Sequence, residues 1–119
     1  MKNIIDYKNI EKFETAMRNW YIDNTKNESF KDQLKNALVK EVEYTGAGFY
    51  INYKNSLNPS DLNTVTRSHI DGPDFTTGNA DGMCGSLLFL RNDIIVCMEI
   101  FIYCNHIDDH IDDFELIKN

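Results

Sequence analysis

Near its end the chain reads CNHIDDHIDD, from Cys104 to Asp113, with the tetrad His-Ile-Asp-Asp repeated without a gap. Such residues could bind a metal, exchange protons or present a dense negative charge. His106 and His110 are four apart, which on a helix places both imidazoles on one face, as in zinc proteases. That pattern also needs a Glu directly after the first His and a helix long enough to carry it. Here about eight Asp-rich residues lie between two strand-like segments. Zinc prefers a closed set of nitrogen and sulfur ligands, or three such ligands plus water. Calcium prefers the D-x-D-x-D-G spacing with a distal Glu, and this loop has no Gly. The stretch therefore reads as a solvated acidic loop, with no metal or cofactor expected. The third histidine, His69, closes a polar strand and reads as an ordinary surface residue.

The candidate nucleophiles are Ser86, Cys84, Cys97 and Cys104. None lies in G-x-S-x-G or beside a motif-like His. Gly46-Ala47-Gly48 is not a dinucleotide fingerprint, and TTGNADGMCG lacks the Lys of a P-loop, so neither reads as a phosphate cradle. Glu99 is the one carboxylate in an otherwise apolar strand. It is either an acid with a raised pKa, or a group hydrogen-bonded to a neighbour such as Tyr103 or to backbone. Tyr44, Phe49, Tyr50 and Tyr53 make an aromatic strand that reads as core and rim, since the nearby acidity disfavours base stacking.

Charge separates the halves. Residues 1–60 hold nine Lys/Arg against eight Asp/Glu, and residues 61–119 hold three against eleven, within a net charge of −7. A half-molecule this acidic repels phosphate, which disfavours direct contact with nucleic acid or an anionic membrane. It attracts a basic protein and speeds the encounter. At 119 residues, 42% of them hydrophobic, the chain reads as one domain over 1–119 with a sufficient core. No apolar run reaches the length of a membrane span, and MKNIIDYKNIEKF has no signal-peptide apolar core. Three cysteines without a C-x-x-C pair read as reduced thiols, so a cytoplasmic location is expected.

The elements that must position these groups follow from periodicity. Ile10, Phe13, Met17, Trp20 and Tyr21 mark one face of a helix over 6–22, with Asp6 as its N-cap. A second helix starts at Asn27 or Ser29, with Phe30, Leu34, Ala37, Leu38 and Glu41 on successive turns. Beyond it, VEYTGAGFYINY predicts a strand with a bulge or close approach at its glycines. KNSLNPSD predicts a loop, LNTVTRSHI a polar strand, and DGPDFTTGNADG a long loop with a brief extended piece at Phe75. Two apolar runs around Arg91-Asn92-Asp93 predict a tight hairpin over 83–103, central in the sheet. With Asn92-Asp93 as its turn, Val96 falls opposite Phe89, Glu99 opposite Ser86 and Cys97 opposite Leu88. Ile94, Val96, Met98, Ile100 and Ile102 would then face the core. DFELI at 113–117 predicts a last strand. The expected fold is α+β: two N-terminal helices packed on a mostly antiparallel sheet of about five strands.

Two blocks, YTGAGFYINY and LLFLRNDIIVCMEIFIY, resemble a group of small bacterial proteins with a Y-T-G-x-G-F strand, a hairpin ending in an L-E-G-Y-T-Y-like run, an acidic loop and a terminal F-x-L strand. Tyr44, Thr45, Gly46, Gly48 and Phe49 match the first block, Met98, Glu99, Phe101 and Tyr103 the second, and Phe114 and Leu116 the end. The chain departs at Ile100, where the group tends to have Gly, and lacks a Trp-Pro in the acidic loop. The likeness spans about the last two-thirds of the chain. The group includes immunity proteins that neutralise toxins of contact-dependent inhibition systems. The resemblance therefore implies a non-enzymatic inhibitor of a toxin domain. Charge adds that the toxin is basic, as a nuclease is, and that Asp71, Asp74 and Asp81 in one loop and Asp108, Asp109, Asp112 and Asp113 in another mimic phosphates. The alternatives are a small enzyme or ligand-binding domain using Glu99 and the His106/His110 loop, and a subunit that associates through its sheet edge.

Overall fold

The computed structural model describes residues 2–54 and 67–117. The loop expected at 54–61 lies, beyond Lys54, outside the described residues, as does the first half of the polar strand expected at 62–70. Two α-helices pack on one face of an antiparallel sheet, as the residue pattern implies. The sheet has eight strands instead of about five.

The first helix, α1, spans Glu11–Asn24 and begins later than its apolar stripe suggests. The Asp6 carboxylate accepts from the Lys8 N–H at 2.9 Å, but the turn it caps is a short 3-10 turn over Tyr7–Asn9. Ile10 then leaves helical geometry at φ −135° before α1 starts. Ile10, Phe13, Met17 and Tyr21 are buried, and Trp20 packs at the rim of the core. The second helix, α2, spans Glu28–Lys35 and is capped by Asn27, whose side chain accepts from the Phe30 N–H at 3.2 Å. It stops a turn and a half short of the expected Glu41. Leu38, expected on its apolar face, is 63% exposed. The β-branched residues that follow gain a full strand partner by leaving the helix, and tertiary pairing overrides the local period.

In chain order the strands are β1 (Ile4–Ile5), β2 (Val39–Tyr44), β3 (Gly48–Tyr53), β4 (Arg67–Asp71), β5 (Asp74–Thr76), β6 (Cys84–Arg91), β7 (Ile94–Ile102) and β8 (Glu115–Ile117). Their order across the sheet is β1-β2-β3-β7-β6-β5-β8, and β4 pairs alongside β5 on the free edge of β6. Three features raise the count. The N-terminal Ile4-Ile5 adds an edge strand, Phe75 nucleates a strand that holds β8, and VEYTGAGFYINY forms a hairpin instead of one bulged strand. Its turn is Thr45–Ala47, closed by the Thr45 N–H donating to Gly48 O at 3.0 Å.

The β6–β7 hairpin is central, as expected, and turns on Asn92 and Asp93 at φ 51° and 63°. Two left-handed residues are what a type I′ two-residue hairpin turn requires. Its register differs from the simple count. An irregularity between Phe89 and Leu90 places Cys97, not Val96, opposite Phe89, and Glu99 opposite Leu87, not Ser86. Below it Met98 and Ile100 point inward as expected, but at the tip Ile95 is buried in place of Ile94 and Val96. One extra residue moves every side chain beyond it to the other face.

The core joins α1 to the sheet. The Phe13 ring sits 4.7 Å from Phe75 and meets Phe114 edge-on at 5.3 Å. One carboxylate lies inside it. Glu14 is fully buried and accepts from Tyr7 Oη (2.6 Å), Tyr53 Oη (2.8 Å), and Arg18 Nε and Nη2 (both 2.8 Å). Arg18 also donates to Ala37 O at 2.9 Å, tying α1 to the end of α2. No helix among the described residues is long and apolar enough to cross a membrane.

Candidate functional site

The repeat in CNHIDDHIDD is a packing device. Ile107 is fully buried and Ile111 is 4% exposed, so the chain is pinned to the core every fourth residue and the polar residues between are turned outward. The segment is not helical. Tyr44 Oη donates to Ile107 O at 2.6 Å, the Ile111 N–H donates to Asn9 O at 3.0 Å, and the Asp108 N–H donates to Asn79 O at 2.8 Å. A bridge between Ala80 and Ile107 lays residues 77–82 beside it.

The two histidines contact different aspartates. His106 Nε2 lies 2.9 Å from Asp108 Oδ1, while His110 lies 3.0 Å from Asp109 through Nδ1 and 3.5 Å from Asp112 through Nε2. Among the described residues no group of three or more His, Cys, Asp or Glu is placed to hold a metal ion.

The structure sorts the seven expected aspartates into two groups. Asp81 joins Asp108, Asp109, Asp112 and Asp113 on the paired loops. Its carboxylate accepts from the N–H groups of Asn105 (3.1 Å) and His106 (3.0 Å), and Asp113 accepts from the Gly78 N–H (3.1 Å). Asp81 titrates below the usual carboxylate range, first because of the Cys104 thiol and then the His106 amide. Asp108 is lowered by its hydrogen bond with His106. Asp71 and Asp74 belong instead to the ends of β4 and β5, on the sheet. Asp74 accepts from Tyr103 Oη at 3.3 Å, and Asp71 lies 3.5 Å from His69. The long loop expected at 71–82 is thus a strand end, a short strand and a turn.

The hydrogen bond with Asp109 raises the His110 pKa above the ordinary histidine value. A group raised on folding contributes stability that is full below the unfolded pKa and lost as pH rises through the folded one. Protonation also makes the loop less negative. NMR titration should place the His110 midpoint above about 6.5, and Asp109→Asn should lower it. A midpoint at or below that value, unmoved by the substitution, would show that the contact does not persist in solution.

The other candidates are accounted for by packing. Ser86 is 3% exposed, shares a 3.1 Å hydrogen bond with Tyr21 and donates to Pro73 O at 3.3 Å. All three cysteines are free, and burial pushes the Cys84 and Cys97 thiols up to about 12. Glu99 stands on the sheet face away from the helices, directly opposite Tyr50 and not against Tyr103. The Glu99 charge, followed by burial, raises the Tyr50 phenol. A surface cavity of about 350 Å³ between Arg67, His69, Phe89, Arg91 and Cys97 lies beyond it, at the hairpin tip. Tyr50 and then Glu43 follow Glu99 in one row across the sheet, though both lie far from it in the sequence. Only strand pairing brings them together.

Compared with protein-family models, curated proteins and solved structures, the chain matches none.

Proposed function

We propose that the chain is a cytoplasmic immunity protein that binds a basic toxin domain, a nuclease by its charge, and covers its active site or nucleic-acid surface without doing chemistry itself. The observation that carries this reading is the paired acidic loop. Asp81, Asp109, Asp112 and Asp113 are exposed and Asp108 half-exposed on a backbone fixed by two buried isoleucines, and among the described residues the ion-pair partners of Asp108, Asp109 and Asp112 are histidines alone. A rigid array of carboxylates is preorganised to replace phosphates in a basic cleft, and preorganisation lowers the entropy lost on binding. Asp71 and Asp74, beside Tyr103, extend the acidic surface onto the sheet.

The test uses the polypeptide encoded immediately upstream. Its C-terminal domain, expressed with this chain, should form a stoichiometric complex that weakens as salt rises. Asp108, Asp109, Asp112 and Asp113 changed together to Asn should slow association at low salt by about tenfold or more, with little change in melting temperature. Asn retains an acceptor for the Gly78 amide. An affinity unchanged by the quadruple substitution would remove the loop from the interface. Stoichiometric sub-micromolar zinc, abolished by His106→Ala or His110→Ala, would favour the ligand-binding alternative.

A further inference from the structure

The register of the sheet sets out two rows of side chains on the face opposite the helices. One row runs across six strands: Ile4, Glu43, Tyr50, Glu99, Leu87, Asp71, each directly opposite the next. The other is Glu41, Asn52, Cys97, Phe89 and His69. The row between them, Val42, Ile51, Met98 and Leu88, is buried against the helices, so by strand alternation the first two face outward. In the outward rows Tyr50 is 36% exposed, and Glu43, Glu99, Leu87 and Phe89 are half-buried.

Two features separate this face from an ordinary solvated sheet. Glu43 and Glu99 straddle Tyr50 from neighbouring strands, with Cα atoms about 10 Å apart on either side of one aromatic ring. Among the described residues neither forms an ion pair. The arginines of this face, Arg67 and Arg91, stand opposite each other in the strand register at the hairpin tip. Arg91 is four residues along β6 from Leu87, which faces Glu99, a backbone spacing of about 13 Å. Beside the carboxylates lies an ordered aromatic surface. Phe101 and Tyr103 meet edge-on at 5.4 Å, and a side chain at Gly85 would strike the Phe101 ring at 2.6 Å. Tyr103 is 63% exposed. Aromatic residues with a few fixed charges are what protein interfaces concentrate at their centres.

We infer that the open sheet face is a docking surface for a basic polypeptide, with Glu43 and Glu99 seating one of its arginine side chains over the Tyr50 ring. The chemistry is specific to that occupant. A guanidinium lies flat on an aromatic face within about 6 Å of its centre and offers hydrogen bonds at both edges. The two carboxylates accept from those edges, and Leu87, Phe89 and Phe101 cover its neighbours. The inference rests on the reading of a basic protein partner, and it assigns to the sheet a contact separate from the acidic loop.

The ¹⁵N-labelled full chain is titrated with N-acetyl-arginine amide, and with the uncharged N-acetyl-citrulline amide as control. The arginine probe should give saturable shifts at Glu43, Tyr50 and Glu99, and citrulline should not. The double variant E43Q/E99Q should weaken the probe about tenfold without altering the melting temperature, while the quadruple loop variant should leave these shifts in place. Equal response to citrulline, shifts confined to the acidic loop, or an unchanged affinity in E43Q/E99Q would each overturn the inference. A second arm uses the upstream-encoded domain. If the arginine seat is present but that domain does not bind, the immunity reading falls and the seat stands. If the domain binds with full affinity to E43Q/E99Q, the seat falls and the immunity reading stands.

Discussion

Glu14→Ala should cost about 3–5 kcal/mol of folding stability, because removing one partner of a buried ion pair leaves the other charge uncompensated. Glu14 is fully buried and takes four hydrogen bonds from Arg18, Tyr7 and Tyr53. Without it the Arg18 guanidinium, 18% exposed, keeps the Ala37 carbonyl and the face of the Tyr53 ring but no opposite charge among the described residues. Chemical denaturation should show the midpoint falling with an unchanged slope. Alkaline titration gives an independent check. Burial and then Glu14 raise the Tyr7 phenol to about 12 from its ordinary 10. A raised folded pKa means stability that is complete below pH 10 and lost as pH rises toward about 12. The variant should lose part of that dependence. A loss below about 1 kcal/mol, the level of an exposed pair, would show that the network opens to water.

Gly48→Ala should separate β3 from β7 and cost about 3 kcal/mol or more, beyond the 1–3 kcal/mol of backbone strain alone. Gly48 sits at φ +149°, and a Cβ there would lie 1.8 Å from the Ile100 carbonyl oxygen across the strand pair. Neither backbone can yield without breaking the ladder at the sheet's centre. Gly46 is the control. It has φ +81°, but a methyl group there would meet nothing within 4 Å, so Gly46→Ala should cost only about 1–2 kcal/mol, the left-handed penalty of an L-residue. Thermal melts of the two variants should differ plainly. Equal losses would mean that conformation, and not the close approach of the strands, is what Gly48 supplies.

The acidic loop and the sheet face respond to different perturbations. Loop carboxylates exposed to solvent act mainly on the rate of encounter and lose influence as salt rises. A half-buried aromatic surface acts mainly on the lifetime of a complex. Kinetic measurement of the four-Asn and E43Q/E99Q variants therefore distinguishes a partner steered by the loop and held by the sheet from one held by the loop alone.

The sequence by itself determined what short-range periods can encode. The stripe from Ile10 to Tyr21 buries one side of α1 whatever lies beyond it, and Asn27 caps α2 through its own side chain. Two apolar runs around Asn92-Asp93 give a central hairpin because those residues tolerate the left-handed turn that strand twist requires. The charge division between the halves was equally plain, since charge adds without regard to fold. Tertiary structure decided what depends on partners distant in the chain. Val39–Glu41 left the helical pattern because β3 offered them a ladder, and one irregularity in β6–β7 moved Glu99 from Ser86 to Leu87. Ile107 and Ile111 were legible as apolar residues, but only the core beneath them turned the H-I-D-D repeat into anchors with outward-facing acids. Glu14 and Glu43 carry the same side chain. One is enclosed by Tyr7, Arg18 and Tyr53, and the other stands beside Tyr50 on an open sheet, because a carboxylate's role is set by the solvent and donors that the fold places around it.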